Sequence, residues 1–553
     1  MNDIRRTILW VIFGFSMVLL WDKWQVHNGN KAMFFPTSAP AATAAAEGAA
    51  KPSVAGSAAV PTSATNAAAQ LPAAGTVAAP APRQAVEVTT DVFKLTFDSE
   101  GGSLVKAELL KYSDVENKDR AVVLLDDSKD RVYVAQTGLI GGGFPTHKTP
   151  MNVVPGPRTL KDGESELSVR FESPDLGGVK LIKTYTLRRG AYDMAVKHEV
   201  QNTGSAAVTP QIYFQLVRDG NKPPGESSFY STFTGPAAYT EAKKYQKVEF
   251  KDIENGKADI QKESANGYVA MVQHYFASAW LLADGVQRDL FMRKVDTNLY
   301  SVGMITTLPS IAPGASQSLE ARFYAGPEEE KKLEALSPGL ELVKDYGWLT
   351  ILAKPLYWLL DKIHGLLGNW GWSIVGLVVL LKAAFFWLNA KAYSSMAKMK
   401  AINPKITEMR ERLKDKPQQM QQEMMRIYRE EKVNPMGGCF PIMIQIPVFI
   451  ALYWVLLSSV EMRNAPWILW ITDLSAKDPL YILPVIMTGT SLLQTWLNPT
   501  PPDPMQAKMM WIMPLVFSVM FFAFPAGLVM YWITNNILSI AQQWVINKRL
   551  GVN

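Results

Sequence analysis

One lysine interrupts a long apolar stretch in the C-terminal third of the chain. The segment SIVGLVVLLKAAFFWL, residues 373–388, contains Lys382 as its only charged residue. A lysine at the centre of a membrane helix costs roughly 2.5–3.5 kcal/mol on insertion scales, so its ammonium group needs either a route to water or a use. The group could attract acidic parts of a partner or serve as a substrate or proton site. Alternatively, the long lysine side chain could carry it to the membrane surface.

The sequence offers few residues suited to catalysis or metal binding. The five histidines are scattered, the motifs H-E-x-x-H and G-x-S-x-G are absent, and GGG at 141–143 lacks the Lys and Ser/Thr of a phosphate-binding loop. The single cysteine, Cys439, can form neither a disulfide within the chain nor a cysteine-based metal site. The net charge of +6 is modest for 553 residues and is not concentrated in a basic block. We predict no enzyme activity, no metal or other cofactor, and no specific nucleic-acid partner.

Six apolar segments predict membrane helices. The first is TILWVIFGFSMVLLW at 7–21, and the others are 370–390, 440–460, 480–497, 509–524 and 526–546. Residues 509–547 carry no charge and are too long for one helix across a hydrocarbon core of about 30 Å, so PAG at 525–527 predicts a turn. Residues 391–439 carry eleven Lys and Arg against six Asp and Glu, which predicts a cytoplasmic location for them. Both termini, including a short tail over 547–553, are then cytoplasmic as well.

The N-terminal 85 residues predict a membrane anchor followed by a linker. The first apolar segment is followed by bulky and polar residues, DKWQVHN, in place of a small-x-small cleavage site. An uncleaved signal anchor over 1–24 is therefore favoured over a cleaved signal peptide. Residues 25–85 are rich in Ala, Pro, Ser and Thr and predict a flexible linker on the outer side of the membrane.

Residues 86–340 have the pattern of an all-β domain. Short β-branched and aromatic runs, such as ELSVRFES and VKLIKTYTLRRGAYDMAVKHEV, alternate apolar with polar residues and are separated by Gly, Asn and Asp. No regular short repeat suggests a propeller. We predict one large antiparallel β-sandwich on the outer side of the membrane.

Residues 343–367 predict an amphipathic helix. Six apolar residues share one helical stripe: Leu349, Leu352, Leu356, Leu359, Ile363 and Leu366. Pro355 and the charges of Asp361 and Lys362 would be costly in hydrocarbon, which favours a helix lying in the outer membrane surface over a span. A core helix of the β domain is the alternative, and the adjacent aromatic segment GNWGW, typical of a membrane interface, favours the surface helix.

Several segments of the C-terminal third resemble one known family. They are NPMGGCFPIMIQIPVFIALYWVL at 434–456, DLSAKDPLYILPVIM at 473–487, DPMQAKMMWIMP at 503–514 and FPAGLVMYWITNNILSIAQQ at 524–543. These segments are similar to the YidC family of membrane protein insertases, and the order of anchor, linker and β domain resembles its Gram-negative bacterial form. The resemblance implies an α-helical polytopic membrane protein with six transmembrane helices. Five of them form the insertase core over 370–546, and the large periplasmic all-β sandwich lies outside.

The resemblance also implies a function and partners. An insertase of this kind inserts nascent membrane proteins into the inner membrane and helps them to fold, alone or with the Sec translocon. Its polar groove is open to the cytoplasm and the lipid and closed on the outside. The implied partners are nascent membrane proteins, the ribosome, Sec translocon components and the phospholipid bilayer.

The groove arginine of the family corresponds to Lys382, which keeps the charge but lacks the bidentate guanidinium fork. We assign five residues to the groove: Lys382, Gln445, Trp532, Asn535 and Asn536. At about 1.5 Å per residue, the polar members lie at mid-depth or in the cytoplasmic half of their predicted spans, which independently suggests a wet cavity in the inner leaflet. Amide groups that only join neighbouring helices are the alternative.

The cytoplasmic segment 391–439 predicts a helical hairpin, because apolar residues recur at threes and fours on both sides of Pro417. We assign five methionines to contact with clients or the ribosome: Met396, Met399, Met409, Met420 and Met424. Methionine-rich surfaces adapt to varied apolar partners, but the same residues could simply fill the seam between the two helices.

Two other functional classes stay open at this point. A secondary transporter could use the intramembrane lysine as its site, although no repeat is visible between the halves of the core and the polar residues cluster toward one side. An envelope-binding protein could use the β-sandwich alone, but this would leave the polar residues of the spans unexplained.

Overall fold

The computed structural model describes residues 83–115, 117–223, 232–413, 416–431, 440–498 and 504–549. The predicted anchor over 1–24, nearly all of the linker over 25–85 and the end of the tail over 547–553 lie outside these ranges. The described residues belong to two compact units that are divided after Asp345. The first unit is mainly β and the second is helical.

The β unit consists of two antiparallel sheets, each with nine strands among the described residues. The strands are β1 (Ala85–Thr89), β2 (Phe93–Asp98), β3 (Ser103–Ser113), β4 (Ala121–Asp127), β5 (Val132–Ile140), β6 (Asn152–Val153), β7 (Glu166–Glu172), β8 (Val179–Arg188), β9 (Asp193–Asn202), β10 (Gln211–Asp219), β11 (Gly235–Thr240), β12 (Lys244–Lys247), β13 (Glu263–Ser264), β14 (Tyr268–Gln273), β15 (Phe276–Leu282), β16 (Arg288–Asp296), β17 (Leu299–Thr307) and β18 (Ser316–Pro327). One sheet has the order β1-β2-β3-β4-β5-β10-β17-β16-β13, and the other has the order β12-β11-β14-β15-β18-β9-β8-β7-β6. Two short helices, α1 (Phe250–Glu254) and α2 (Glu330–Leu336), complete the unit with a 3₁₀ turn over Leu340–Val343.

The alternating sequence pattern produces the two-sided sheets. Along β7, exposed and buried residues alternate from Glu166 to Phe171, as a half-buried strand requires. The sheets face each other through aromatic side chains: Trp280 of β15 lies 5.4 Å from the ring of Phe214 in β10 and 4.6 Å from that of Phe323 in β18. The Trp280 indole also donates to the carbonyl oxygen of Gln215, at 3.2 Å. The predicted β-sandwich is confirmed.

The turn between β2 and β3 depends on glycine. Gly101 has a φ of +70°, and a Cβ atom added there would lie 2.3 Å from the carbonyl oxygen of His147. Backbone therefore occupies the space that any side chain would need, in a conformation that favours glycine. The pair GG in the predicted strand segment marks the place where the chain reverses.

The β-sandwich buries a lysine between its sheets. Lys183 of β8 is fully buried, and its Nζ donates to the carbonyl oxygens of Gly101 and Thr137, both at 2.6 Å. No carboxylate of the described unit forms an ion pair with it, and burial lowers the pKa of Lys183 from 10.5 to about 7. His198 of β9 bonds to the Thr137 hydroxyl at 2.8 Å, and burial, with the nearby Lys183 charge, lowers its pKa to about 3. His198 is therefore a neutral core residue at pH 7.

The second unit contains eight helices in its described residues. They are α3 (Thr350–Leu367), α4 (Trp370–Ala384), α5 (Phe386–Arg412), α6 (Pro417–Glu430), α7 (Phe440–Ser458), α8 (Ile482–Leu497), α9 (Pro504–Phe521) and α10 (Ala526–Arg549). Short 3₁₀ turns cover Gly347–Leu349 and Val460–Met462. In the described part of the chain, no helix is by itself both long and apolar enough to cross a membrane; α4 and α5 meet that criterion only as a pair, bent by 68°.

The amphipathic segment forms α3, which packs against α4 and α7. Leu356 is buried, and Leu352, Leu359 and Ile363 of the predicted stripe pack partly buried against the helical core. Leu366, at the end of the stripe, is 84% exposed. The stripe therefore faces the other helices over most of its length.

The loop between α7 and α8 is organised by one buried carboxylate. Asp478 accepts hydrogen bonds from the indole Nε1 of Trp470 at 2.9 Å, from the amide of Leu480 at 3.0 Å and from the amide of Leu483 at 2.7 Å. The bond from Leu483 satisfies an amide group in the first turn of α8, where backbone donors lack helical partners, and the bond from Leu480 lies in the loop just before the helix. Asp478 therefore fixes the loop to the helix that follows it.

The same loop docks on the turn between α9 and α10. The amide of Ala526 donates to the carbonyl of Ala476 at 2.8 Å, and the amide of Gly527 donates to the carbonyl of Leu474 at 2.9 Å. These bonds satisfy the first amide groups of α10 in place of a side-chain cap. Backbone contacts thus tie three helices together at this end of the unit.

Candidate functional site

The intramembrane lysine of the sequence lies at the end of α4. Lys382 is in the last turn of that helix, immediately before the bend at Phe385. Its Nζ donates to Ser539 Oγ of α10 at 2.7 Å, and Ser539 Oγ donates in turn to the carbonyl oxygen of Asn535 at 2.7 Å. The ammonium group is therefore held by a neutral hydroxyl and has no carboxylate partner among the described residues.

A third helix brings an amide to the same cluster. Gln445 of α7 donates from Nε2 to Oδ1 of Asn535 at 2.7 Å. Asn535 therefore accepts with its side chain from α7, while its backbone carbonyl accepts from the serine that binds Lys382. The polar groups of α4, α7 and α10 form one hydrogen-bonded cluster among apolar helices.

A half-open cavity lies beside this cluster. It is lined by Val378, Leu381, Lys382, Phe385, Leu388, Asn389, Gln445, Val448, Tyr531 and Asn535. It encloses about 430 Å³, including its open mouth. None of these lining residues is acidic, so the Lys382 charge dominates the electrostatics of the cavity wall. Because several hydrogen-bonding groups converge on one space, the cavity is suited to water or to polar groups of a partner.

The structure brings together three of the five residues assigned to the groove, Lys382, Gln445 and Asn535. Asn536 points elsewhere: its Nδ2 donates to hydroxyls of Thr490 and Ser491 in α8, at 3.2 and 2.9 Å. Successive helical residues are separated by about 100°, so neighbouring asparagines of α10 face different helices. Asn536 joins α10 to α8.

Trp532 also lies away from the cavity lining. Its ring packs edge-on against Phe449 of α7, with centroids 4.7 Å apart, and lies 5.1 Å from Phe521 of α9. It is partly buried against the core of the helical unit. In this structure it contributes apolar packing between three helices.

Sequence reasoning missed three polar residues of the site. Ser539 holds the lysine, and Asn389 and Tyr531 contribute to the cavity wall. The signal for two of them was available, because Tyr531, Asn535 and Ser539 recur every four residues and so share one face of a helix. Asn389 lies beyond the bend after α4, where a straight helix would have placed it differently.

The hairpin methionines gather where α5 and α6 meet. Met409 is buried in a cluster with Ile402 and Ile406, and Met399, Met420 and Met424 pack against that cluster. Met396 is half-buried nearer the start of α5. Four of the five assigned methionines thus occupy the seam between the helices, whereas Met425, which we did not assign, is 46% exposed.

Comparisons with known proteins identify the family. One family model, described as the YidC periplasmic domain, matches residues 85–359, and another, described as 60Kd inner membrane protein, matches residues 362–552. A relative from Cupriavidus metallidurans named Membrane protein insertase YidC is 57% identical over 99% of this chain and 98% of its own length. The chain belongs to the YidC family.

A second relative matches over a similar share of its length. The Ralstonia nicotianae protein of the same name is 55% identical over 100% of this chain and 99% of its own. A solved structure described as an active YidC insertase with the first transmembrane domain resolved covers 83% of this chain and 93% of that one. Its TM-score is 0.39 and its sequence identity is 20%.

YidC family membership confirms the resemblance seen in the C-terminal third. It also confirms an inner membrane protein with a periplasmic domain, and the β-sandwich is that domain. The relatives are insertases, which confirms that the chain is not an enzyme. The names of these relatives do not support the alternative that the chain is a secondary transporter.

Proposed function

We propose that this chain inserts nascent membrane proteins into the bacterial inner membrane and helps them to fold, and that the cavity at Lys382 receives their polar parts. One observation carries the proposal: in a chain whose relatives are named membrane protein insertases, Lys382, Gln445 and Asn535 line a half-open cavity among apolar helices. Burying an apolar helix of about 20 residues is itself favourable by many kcal/mol. The protein then needs only to lower the barrier for the polar ends of a client, and no nucleotide is required.

We propose six transmembrane helices, five of them in the insertase core over 370–546, with both termini in the cytoplasm. The anchor over 1–24 is the sixth, the linker over 25–85 and the β domain over 86–340 lie in the periplasm, and residues 343–367 lie along the outer membrane surface. The support is the charge asymmetry of the loops, since the segment 391–439 is far more basic than the loop between α7 and α8. The hairpin and the tail over 547–553 then face the cytoplasm.

In the proposed mechanism the Lys382 ammonium exchanges its bond to Ser539 for an acidic group of the client. The exchange is possible because the present partner is a neutral hydroxyl, so no ion pair has to be broken. Gln445 and Asn535 offer amide donors and acceptors to the client backbone while its polar end is inside the inner leaflet. The membrane potential assists the transfer of negative ends across the bilayer.

The partners in this proposal are nascent membrane proteins, delivered by the ribosome or by the Sec translocon, and the phospholipid bilayer that receives them. The methionine hairpin is the proposed cytoplasmic contact for clients or the ribosome. Trp532 and Asn536 then act indirectly on insertion, because they hold α7, α8 and α9 around α10.

Insertion by the purified chain in proteoliposomes tests the proposal. Two matched single-span clients are used, one with acidic residues and one with neutral residues in the translocated end. Lys382→Arg should retain activity because the charge remains, whereas Lys382→Leu should slow the acidic client about tenfold, equivalent to about 1.4 kcal/mol in the barrier. Lys382→Glu should be slower still through repulsion of like charges.

The control moves the charge without changing the composition. In the double variant Leu380→Lys/Lys382→Leu, the lysine occupies a position that is 48% exposed and does not line the cavity. It should behave like Lys382→Leu. If the double variant or Lys382→Leu inserts both clients as fast as the parent, the cavity charge has no role in insertion. If liposomes with the parent insert no more client than empty liposomes, the proposed function itself is wrong.

A further inference from the structure

Three exposed tryptophans of the helical unit each have a lysine one turn further along the same helix. The distances from the lysine Nζ to the ring centroid are 5.9 Å for Trp358 and Lys362 in α3, 5.4 Å for Trp387 and Lys391 in α5, and 5.2 Å for Trp544 and Lys548 in α10. The three tryptophans are between 56% and 73% exposed. An exposed tryptophan beside a cation is the arrangement that suits the boundary between hydrocarbon and headgroups, since the ring enters the apolar layer and the amine reaches outward.

The pairs on α5 and α10 lie at the same level. Gln542 Nε2 of α10 donates to the carbonyl oxygen of Phe386 at the start of α5, at 3.0 Å. Lys382 of α4 contacts Ser539, three residues before Gln542, so the chain runs in the same direction along α4 and α10 up to the bend, and α5 starts level with Gln542. In each pair the lysine lies one turn, about 5.4 Å, beyond its tryptophan along its own helix, and α5 leaves the direction of α4 by 68°.

Neither lysine has an acidic partner among the described residues. Lys391 and Lys548 are both exposed, and neither takes part in a salt bridge of the described chain. Arg549 lies beside Lys548, which adds a second positive charge at that end of α10. The two pairs thus present unneutralised cations directly above exposed aromatic rings.

We propose that Trp387 with Lys391 and Trp544 with Lys548 form two binding sites for the phosphate of anionic phospholipids in the cytoplasmic leaflet. The choice of leaflet rests on the orientation given under the proposed function. An anionic headgroup such as phosphatidylglycerol is favoured over a zwitterionic one because it has no ammonium group of its own to compete with the lysine for the phosphate. Each lysine near the membrane surface should favour the anionic lipid about fivefold.

These sites also set the depth of the cavity. Ser539 precedes Trp544 by five residues, so the bond between Lys382 and Ser539 lies about 7.5 Å from the level of Trp544 along the axis of α10. A headgroup bound at Trp544 and Lys548 would therefore lie at a fixed distance along α10 from the charge in the cavity.

The test measures lipid selectivity of the full chain in vesicles that contain a small fraction of chain-labelled spin lipid. Electron paramagnetic resonance gives the motionally restricted fraction for labelled phosphatidylglycerol and, separately, for labelled phosphatidylcholine. The parent should prefer phosphatidylglycerol over phosphatidylcholine. In Lys391→Gln/Lys548→Gln that preference should fall at least fivefold. Lys391→Arg/Lys548→Arg should keep it, which guards against a variant that merely folds badly.

A matched control removes two charges elsewhere. Lys398 and Lys416 are exposed lysines of the same hairpin segment without a tryptophan one turn before them, so Lys398→Gln/Lys416→Gln should leave the preference intact. An equal loss in this control would overturn the proposal in favour of diffuse surface charge, and a parent without preference would also overturn it. Because the lipid measurement uses no client, a chain that fails to insert clients but keeps its preference would refute the proposed function and leave this inference standing.

Discussion

Replacing Lys183 should remove a pH dependence of stability from the β-sandwich. The unfolded chain binds a proton at Lys183 up to a pKa near 10.5, whereas the folded unit releases it at about pH 7. Between these values the unfolded state holds more protons, so the free energy of unfolding rises with pH. Integrated from pH 7 to pH 9, this one group contributes a rise of roughly 2 kcal/mol.

Two other buried groups with shifted pKa values, His198 and Tyr185, contribute little to the pH dependence of stability between pH 7 and 9. His198 has a pKa of about 3 in the folded unit, so its contribution changes below pH 7. Burial raises the pKa of Tyr185 above its ordinary value near 10, and its effect, a loss of stability as the unfolded chain ionises, begins only above about pH 9.5. The rise between pH 7 and 9 therefore reports on Lys183.

The assay can use a fragment of residues 83–345, in which Trp280 is the only tryptophan and is buried between the sheets. Urea unfolding followed by its emission at pH 7, 8 and 9 gives the free energy at each pH. Lys183→Met should flatten the dependence, while Lys197→Met, at an exposed position of the neighbouring strand, should keep the slope of the parent. Equal slopes in the parent and in Lys183→Met would refute the argument that an ammonium group is forced out of water at this position.

Three further expectations concern topology, the β domain and the hairpin. A thiol reagent that cannot cross membranes should label a cysteine placed at Ser475 from outside but not one placed at Gln418; the reverse pattern would overturn the proposed orientation. Removing residues 86–325 should leave insertion largely intact, because the cavity cluster lies wholly in the other unit, and complete loss in a variant that still reaches the membrane would contradict this. Met409→Ala should destabilise the hairpin by about 2–5 kcal/mol in hydrogen exchange, against less than about 0.5 kcal/mol for the exposed Met425→Ala, and equal effects would mean that the seam is not a core.

The sequence was sufficient for the β-sandwich because strand periodicity is local. Alternation from Glu166 to Phe171 predicts a half-buried strand, and the structure has one there. The order of strands within each sheet could not be predicted in this way, because it depends on pairings between distant segments such as β10 with β17 and β5. Nothing local in a strand specifies which neighbour it will have.

The site was predicted less completely, for a geometric reason. Depth along a helix follows from residue number, and by depth alone Asn535 and Asn536 are equivalent. Direction around the helix separates them, and it can be assigned only when the neighbouring helices are known. Similarly, the sequence pattern gives an end for the predicted membrane span at 390 but does not indicate the bend after α4, at Phe385, from which α5 runs on without interruption.

The contact between Lys382 and Ser539 has a consequence for the synthesis of this chain itself. The two residues are 157 positions apart, and at about 5–20 residues per second the serine is made roughly 8–30 s after the lysine. Through that interval the half-made protein carries an unpartnered charge in an apolar helix, and so for a time resembles the kind of protein that it is proposed to serve.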